Sequence, residues 1–173
     1  ESIKKSMSNI PLLLKHFRQQ VLTQAVSGEM TKEWRKVREL IPWENLTLSD
    51  LIVEKPRNGY SPRAVDYETP VKSLSLSATT SGNFDPSCVK YLDIEVPDKN
   101  SHLWLMNGDI LIQRSNSLEY VGTSAIYDGE DFEFIYPDIM MKIKPNDRVI
   151  TKYLNYCLSS FETRDYFRKN ATG

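Results

Sequence analysis

Long apolar runs are missing from these 173 residues. The run Ile10–Leu14 contains Pro11 and meets Lys15 at once, far short of the roughly 18 apolar residues a membrane span needs. Cysteine is nearly absent too: Cys88 and Cys157 stand alone, with no CxxC spacing, so neither a disulfide framework nor a zinc site is expected. His16 and His102 are the two histidines and lie far apart. His16 sits beside an apolar helix stripe and His102 in a polar loop, which reads as structural or solvated placement rather than catalysis or metal ligation. Charge of one sign is not in excess either. The net charge is −1, without the basic surplus typical of non-specific nucleic-acid binders. Glu1 and Lys4-Lys5 precede only a short apolar patch, which is not a secretory signal pattern, and a cytoplasmic location is expected.

Catalytic signatures are missing as well. No lysine has Asp or Glu two positions before it, so the (D/E)xK core of restriction nucleases is absent. There is no glycine-rich phosphate loop, and no Pro-Pro-aromatic motif of the kind that holds a flipped base in amino-methyltransferases. Asp128, Glu130, Asp131 and Glu133 crowd together, but without EF-hand spacing they read as a solvated hairpin tip. No cofactor and no metal is expected.

What remains is an ordinary globular composition, 40% hydrophobic and 26% charged, in a length of about one domain. The charges are segregated. Lys15, Arg18, Lys32, Arg35, Lys36 and Arg38 lie early, acids dominate from Asp93 to Glu133, and Lys142, Lys144, Arg148, Lys152, Arg164, Arg168 and Lys169 follow. Pro11 suits the first turn of a helix. Beyond it Ile10, Leu14, Phe17, Val21 and Ala25 recur at spacings of four, three, four and four, a coiled-coil type stripe that ends at Gly28. The stripe is too short to stand alone and needs a partner helix, from this chain or another. Residues 30–42 read as a connector.

Strands are expected next. Leu74, Leu76 and Ala78 alternate with serines, and Val89–Val96, Ile110–Ile112, Val121–Tyr127, Phe134–Tyr136 and Ile139–Ile143 follow. Asp128-Gly129 signals a hairpin. Tyr153, Leu154, Cys157, Leu158 and Phe161 mark a helix face, and Ser160 starts a second helix. Helix, short strands, then helices make an α+β fold: a coiled-coil type helix followed by a mixed, strand-rich domain ending in short helices.

The most telling stretch is Asn107-Gly108-Asp109-Ile110-Leu111-Ile112-Gln113-Arg114-Ser115-Asn116-Ser117, followed by Tyr120-Val121-Gly122-Thr123-Ser124-Ala125. A turn opens it, a buried strand follows, and Arg114 and Asn116 arrive at an exposed end. Arg pairs bidentately with guanine and Asn with adenine. Three loops therefore carry candidate DNA contacts. The first holds Arg57, Asn58, Tyr60, Ser61 and Arg63, with Gly59 allowing close backbone approach. The second holds Thr79, Thr80, Ser81 and Asn83, suited to phosphates or thymine methyls. The third holds Arg114, Ser115, Asn116 and Ser117. Lys72 and Lys142 are weaker phosphate candidates.

That block resembles the target-recognition domain of the DNA-specificity (S) subunit of type I restriction–modification enzymes, through its "GDILI-x-R-x-N-S" and "VG" elements. Leu12–Leu22 and Ala25–Arg35 look like the end of that family's central conserved region, and Tyr153–Ser160 with the tail to Gly173 is similar to the segment entering the next conserved helix. The resemblance implies two parts: residues 1–39 as conserved-region helix and connector, and 40–173 as the target-recognition domain. It also implies a non-catalytic role, reading one half of a bipartite double-stranded DNA target for modification (methyltransferase) subunits and a translocating restriction subunit. Family subunits usually carry two recognition domains; with one, the chain is half of a longer subunit or pairs with itself through the helix. Taken on residues alone, two rivals stay open: a protein–protein adaptor, or a stand-alone nuclease or methyltransferase module.

Overall fold

The expected first helix forms as α1, Ile10–Val26, with Pro11 in its opening turn and Gly28 in the left-handed conformation just past its end. The computed structural model describes residues 8–114 and 117–171. No residue of α1 is buried. Ile10, Leu14, Phe17 and Val21 are 47%, 49%, 62% and 37% exposed and Ala25 is exposed too; Tyr153 and Tyr156 flank the stripe at Phe17, Val21 and Ala25 without burying it. The end of α1 is nevertheless anchored. Tyr153 Oη donates to the Val26 carbonyl at 2.7 Å, and Arg35 donates to the Gly28 carbonyl at 2.8 Å while lying over the Trp43 ring. Arg35 belongs to α2, Lys32–Val37, a short helix inside the segment expected to be a plain connector.

Among the described residues eight strands follow: β1 Arg57–Asn58, β2 Ala64–Val65, β3 Val71–Leu74, β4 Val89–Leu92, β5 Ile110–Gln113, β6 Ser124–Ile126, β7 Phe134–Ile135 and β8 Met140–Ile143. They make two four-stranded sheets, ordered β1-β8-β5-β6 and β2-β4-β3-β7. All pairings are antiparallel except β3 with β7. The chain then closes with α3, Thr151–Ser159, and α4, Phe161–Asn170. The fold is α+β. Among the described residues no helix is long and apolar enough to cross a membrane.

β5 is buried along its whole length because both of its faces are covered. Ile110 and Ile112 pack with Ile143 against Leu154 and Leu158 of α3. Leu111 faces the other way, into a cluster with Leu74, Ala78, Leu105, Tyr127, Phe134, Tyr136 and Met140 that joins the two sheets. A third cluster, Val71, Leu92, Trp104 and Ile135, covers the far face of the second sheet. Each fully buried Leu or Ile contributes about 1.5–3 kcal/mol, and together these clusters hold the ends of β1, β5 and β8 fixed.

Three expectations are corrected by local chemistry or strand pairing. The Leu74–Ala78 alternation is not a strand beyond Leu74; Leu76–Thr79 winds into a 3-10 turn. The hydroxyls of Thr79 and Thr80 both donate back to the Leu76 carbonyl, an alternative that short polar side chains offer the backbone in place of a ladder. Asp128-Gly129 is not a hairpin tip between paired strands. β6 pairs with β5 in one sheet and β7 with β3 in the other, so the acidic segment is a crossover. It is tied down by Asn107, whose backbone N–H donates to Asp131 and whose side chain donates to the Gly129 carbonyl. The strand expected at 121–127 is also shorter, because residues 117–122 form a turn with Gly122 at φ +75°.

Candidate nucleic-acid interface

β1 and β5 flank β8 and both run antiparallel to it, so their C-terminal ends leave the sheet at the edge where β8 begins. The first and third candidate loops therefore emerge side by side. Asp138, just before β8, joins them. Its carboxylate accepts from Ser61 Oγ at 2.7 Å, and its backbone N–H donates to the same oxygen at 3.0 Å. Its carbonyl accepts from Arg114 Nη1 at 3.3 Å, while the Arg114 N–H donates to the Ile139 carbonyl at 2.7 Å. Arg114 is exposed, and its planar guanidinium carries five donors.

The second loop is tied to the third by Gln113, the last residue of β5 and 1% exposed. Its Nε2 donates to Thr79 Oγ1 at 2.8 Å, to Thr80 Oγ1 at 3.3 Å and to the Leu76 carbonyl at 3.0 Å. Three loops distant in sequence thus meet at one edge. Sequence reasoning missed both linkers. Gln113 stands inside the quoted strand block, where a buried amide beside two hydroxyl-bearing loops was the available signal; Asp138 follows Pro137 at a strand entry with no such mark.

The first loop is held by a close approach of a different kind from the one expected. Gly59 lets the chain run against its own backbone: a Cβ there would lie 1.9 Å from the Tyr136 carbonyl oxygen. The Tyr60 N–H donates to that oxygen at 2.9 Å, and Tyr136 Oη donates to the Arg57 carbonyl at 3.1 Å. Arg57, Asn58, Tyr60, Ser61 and Arg63 are all exposed, although Arg57 pairs with Glu54 at 3.4 Å.

Other candidates are placed less favourably. Thr79 is fully buried, with its hydroxyl engaged by Gln113 and Leu76; it supports the loop from within, while Thr80, Ser81 and Asn83 are exposed. Lys142 lies opposite Arg57 in the β1–β8 pair but is turned inward rather than to solvent. Its side chain is 10% exposed, and its ammonium donates to the Trp104 carbonyl at 2.7 Å and lies 3.5 Å from Asp109. Burial pushes the Asp109 carboxyl above its ordinary range, and Lys142 opposes that shift. The pair sits at a pocket also lined by Arg57, Lys99, His102 and Lys144. Lys72 lies on the second sheet, 4.0 Å from Glu133 and over the Phe134 ring. Ser117 is exposed and opens the turn after Arg114; Ser115 and Asn116 lie outside the described residues.

No protein-family model matches the chain. It is 29% identical over 168 residues to the EcoKI specificity subunit of the type I restriction enzyme of Escherichia coli K12, covering 95% of this chain and 36% of that protein. It is also 29% identical over 173 residues to the StySPI specificity subunit of Salmonella potsdam, covering 98% of this chain and 37% of the relative. A chain from a solved type I R-M system aligns over 99% of this chain and 45% of its own length, with a TM-score of 0.48 and 14% identity. These relatives are type I restriction enzyme specificity subunits, and the chain spans a little over a third of the length of the curated relatives it matches.

Proposed function

We propose that this chain is a target-recognition unit of a type I restriction enzyme specificity subunit, reading one half of a bipartite sequence in double-stranded DNA. Residues 40–173 form the reading domain, and residues 1–39 form the helix and connector that pair with another helix. The unit breaks and makes no covalent bonds; modification and restriction subunits act where it binds. The observation that carries the reading is the convergence of the three polar loops on one sheet edge through Asp138 and Gln113. On these apolar-backed loops Tyr60, Arg63, Thr80, Asn83 and Arg114 are exposed, with bidentate donors and phosphate partners among them. Relatives that carry the specificity-subunit name over nearly the whole chain support the same reading.

Selection from a random duplex library, with a modification subunit present, tests it: a defined half-site should be enriched. On that site Arg114→Ala should weaken specific binding by about 1–3 kcal/mol if it reads a guanine. Equal loss on target and non-target DNA makes Arg114 a phosphate contact, and no loss removes it from the interface. A library that returns no enriched sequence refutes the proposal.

A further inference from the structure

Two basic residues of α4 that a charge count would aim at phosphates bond instead to the turn following Arg114: the half-buried Arg164 and the exposed Arg168. Arg164 of α4 donates through Nη1 to Thr123 Oγ1 at 2.8 Å and through Nη2 to the Glu119 carbonyl at 3.0 Å. Arg168, one turn on, donates through Nε to the Leu118 carbonyl at 3.2 Å. Beside them Gly122 packs under Phe167 so closely that a Cβ would lie 2.4 Å from the ring. The turn is stitched to the end of β5 on its other side: the Gly122 N–H donates to the Gln113 carbonyl and the Gln113 N–H to the Thr123 carbonyl, both at 2.8 Å. Gln113 is the residue immediately before Arg114.

Arg164 is an unusual choice for mere packing. Among the described residues no carboxylate pairs with it. Its Nε is buried without a partner, and burial holds its pKa below the ordinary guanidinium value. A cation desolvated onto a carbonyl and a hydroxyl gives up hydration in return for geometry, since a rigid fork bridging two points of a turn fixes that turn. α4 in turn touches α1: Thr23 Oγ1 donates to Glu162 at 3.0 Å. One connected path therefore runs from α1 through α4 and Arg164 to the turn and Arg114.

We infer that Arg164, assisted by Arg168, is a specificity-determining positioning residue that clamps residues 118–123 to α4 and so sets the aim of Arg114. The helical base, not the sheet alone, then governs how the third loop meets DNA. This inference rests on the proposed DNA-reading function.

The test uses the full chain with Arg164→Met, Arg164→Lys and Arg168→Met. In Arg164→Met, hydrogen exchange of the Tyr120–Thr123 amides should quicken by about tenfold, the scale set by one charge-assisted hydrogen bond. Exchange in β3 and β4 should stay unchanged. The ratio of target to non-target affinity should fall by a similar factor, while non-target affinity and its salt dependence hold. Arg164→Lys should recover part of both effects, and Arg168→Met should show smaller changes in the same direction, which keeps the test decisive if Arg164→Met does not fold. Unchanged exchange at Tyr120–Thr123 in Arg164→Lys and Arg168→Met overturns the clamp. Parallel loss on both DNAs with a shallower salt slope overturns the positioning role and makes Arg164 a phosphate contact. If the wild-type chain selects no sequence, the DNA reading fails, and the exchange data still decide the clamp.

Discussion

Gly59→Ala is the sharpest probe of how the first loop is held. Gly59 does not adopt a left-handed φ, so alanine meets no backbone penalty, and by narrowing the unfolded ensemble it would by itself stabilise by about 0.4–1 kcal/mol. Steric contact opposes this. The new Cβ would sit 1.9 Å from the Tyr136 oxygen, 2.5 Å from its carbonyl carbon and 2.7 Å from the Pro137 oxygen. All three are backbone atoms, which cannot rotate aside as a side chain would. Restoring ordinary contact distances requires the chain to retreat by roughly 1.5 Å. That breaks the bond from Tyr60 N–H to the Tyr136 carbonyl, 2.9 Å long, and the weaker one from Gly59 N–H to the Met140 carbonyl at 3.3 Å. Two such bonds contribute about 1 kcal/mol each, and staying in place would cost about 1–3 kcal/mol in overpacking. Less the entropic gain of about 0.4–1 kcal/mol, the expected net loss by either route is about 1–2 kcal/mol. Urea unfolding followed by tryptophan fluorescence reads it as a lowered midpoint at constant slope. Ser61 should also leave Asp138, reducing selectivity for the target half-site. A variant as stable as the wild type, or more so, refutes the steric account.

Three further outcomes follow from the same structure. Phe17→Glu with Val21→Glu changes exposed positions, so chemical denaturation should shift by no more than about 0.5 kcal/mol and the circular dichroism of the strand-rich part should persist. Association through the helix, followed by sedimentation, should be lost; an unfolded product would instead place the stripe in the domain core. Lys142→Met leaves Asp109 buried without its cation and should cost about 3–5 kcal/mol near neutrality. Asp109 already has a raised pKa, and losing Lys142 raises it further. A carboxyl with a raised folded-state pKa favours folding below its unfolded value and loses that contribution as pH rises through the folded one. The deficit of Lys142→Met should therefore shrink as pH falls from 7 toward 5 in parallel denaturation series, and a deficit that grows on acidification contradicts the assignment.

Much of the architecture was legible in the sequence because it rests on local rules. The spacing of Ile10, Leu14, Phe17, Val21 and Ala25 marked α1, and Pro11 and Gly28 marked its ends. Ser160 accepts from the Thr163 N–H as the N-cap of α4. The apolar run at 110–112 became the central strand. Misreadings came where side chains or tertiary pairing overrode periodicity. Thr79 and Thr80 coil the chain after Leu74, and β7 leaves the sheet of its predecessor to join β3. At the candidate interface, residue type picked out three loops that the fold brings to one sheet edge, but could not show which side chains turn inward. Thr79 and Lys142 are polar residues with internal partners, and only packing distinguishes them from Thr80 or Arg114. Asp138 was invisible because its role depends on two strands meeting across residues 61 to 138.

The two sheets are interleaved along the chain: β1, β5, β6 and β8 in one, β2, β3, β4 and β7 in the other. Neither is made of consecutive strands alone, and β1 stays without its neighbour until β8 has been made. A cut anywhere between β2 and β7 divides both layers at once. Transplanting new target preference between relatives should then succeed by exchanging short surface loops or the entire unit, and fail for any half-and-half splice.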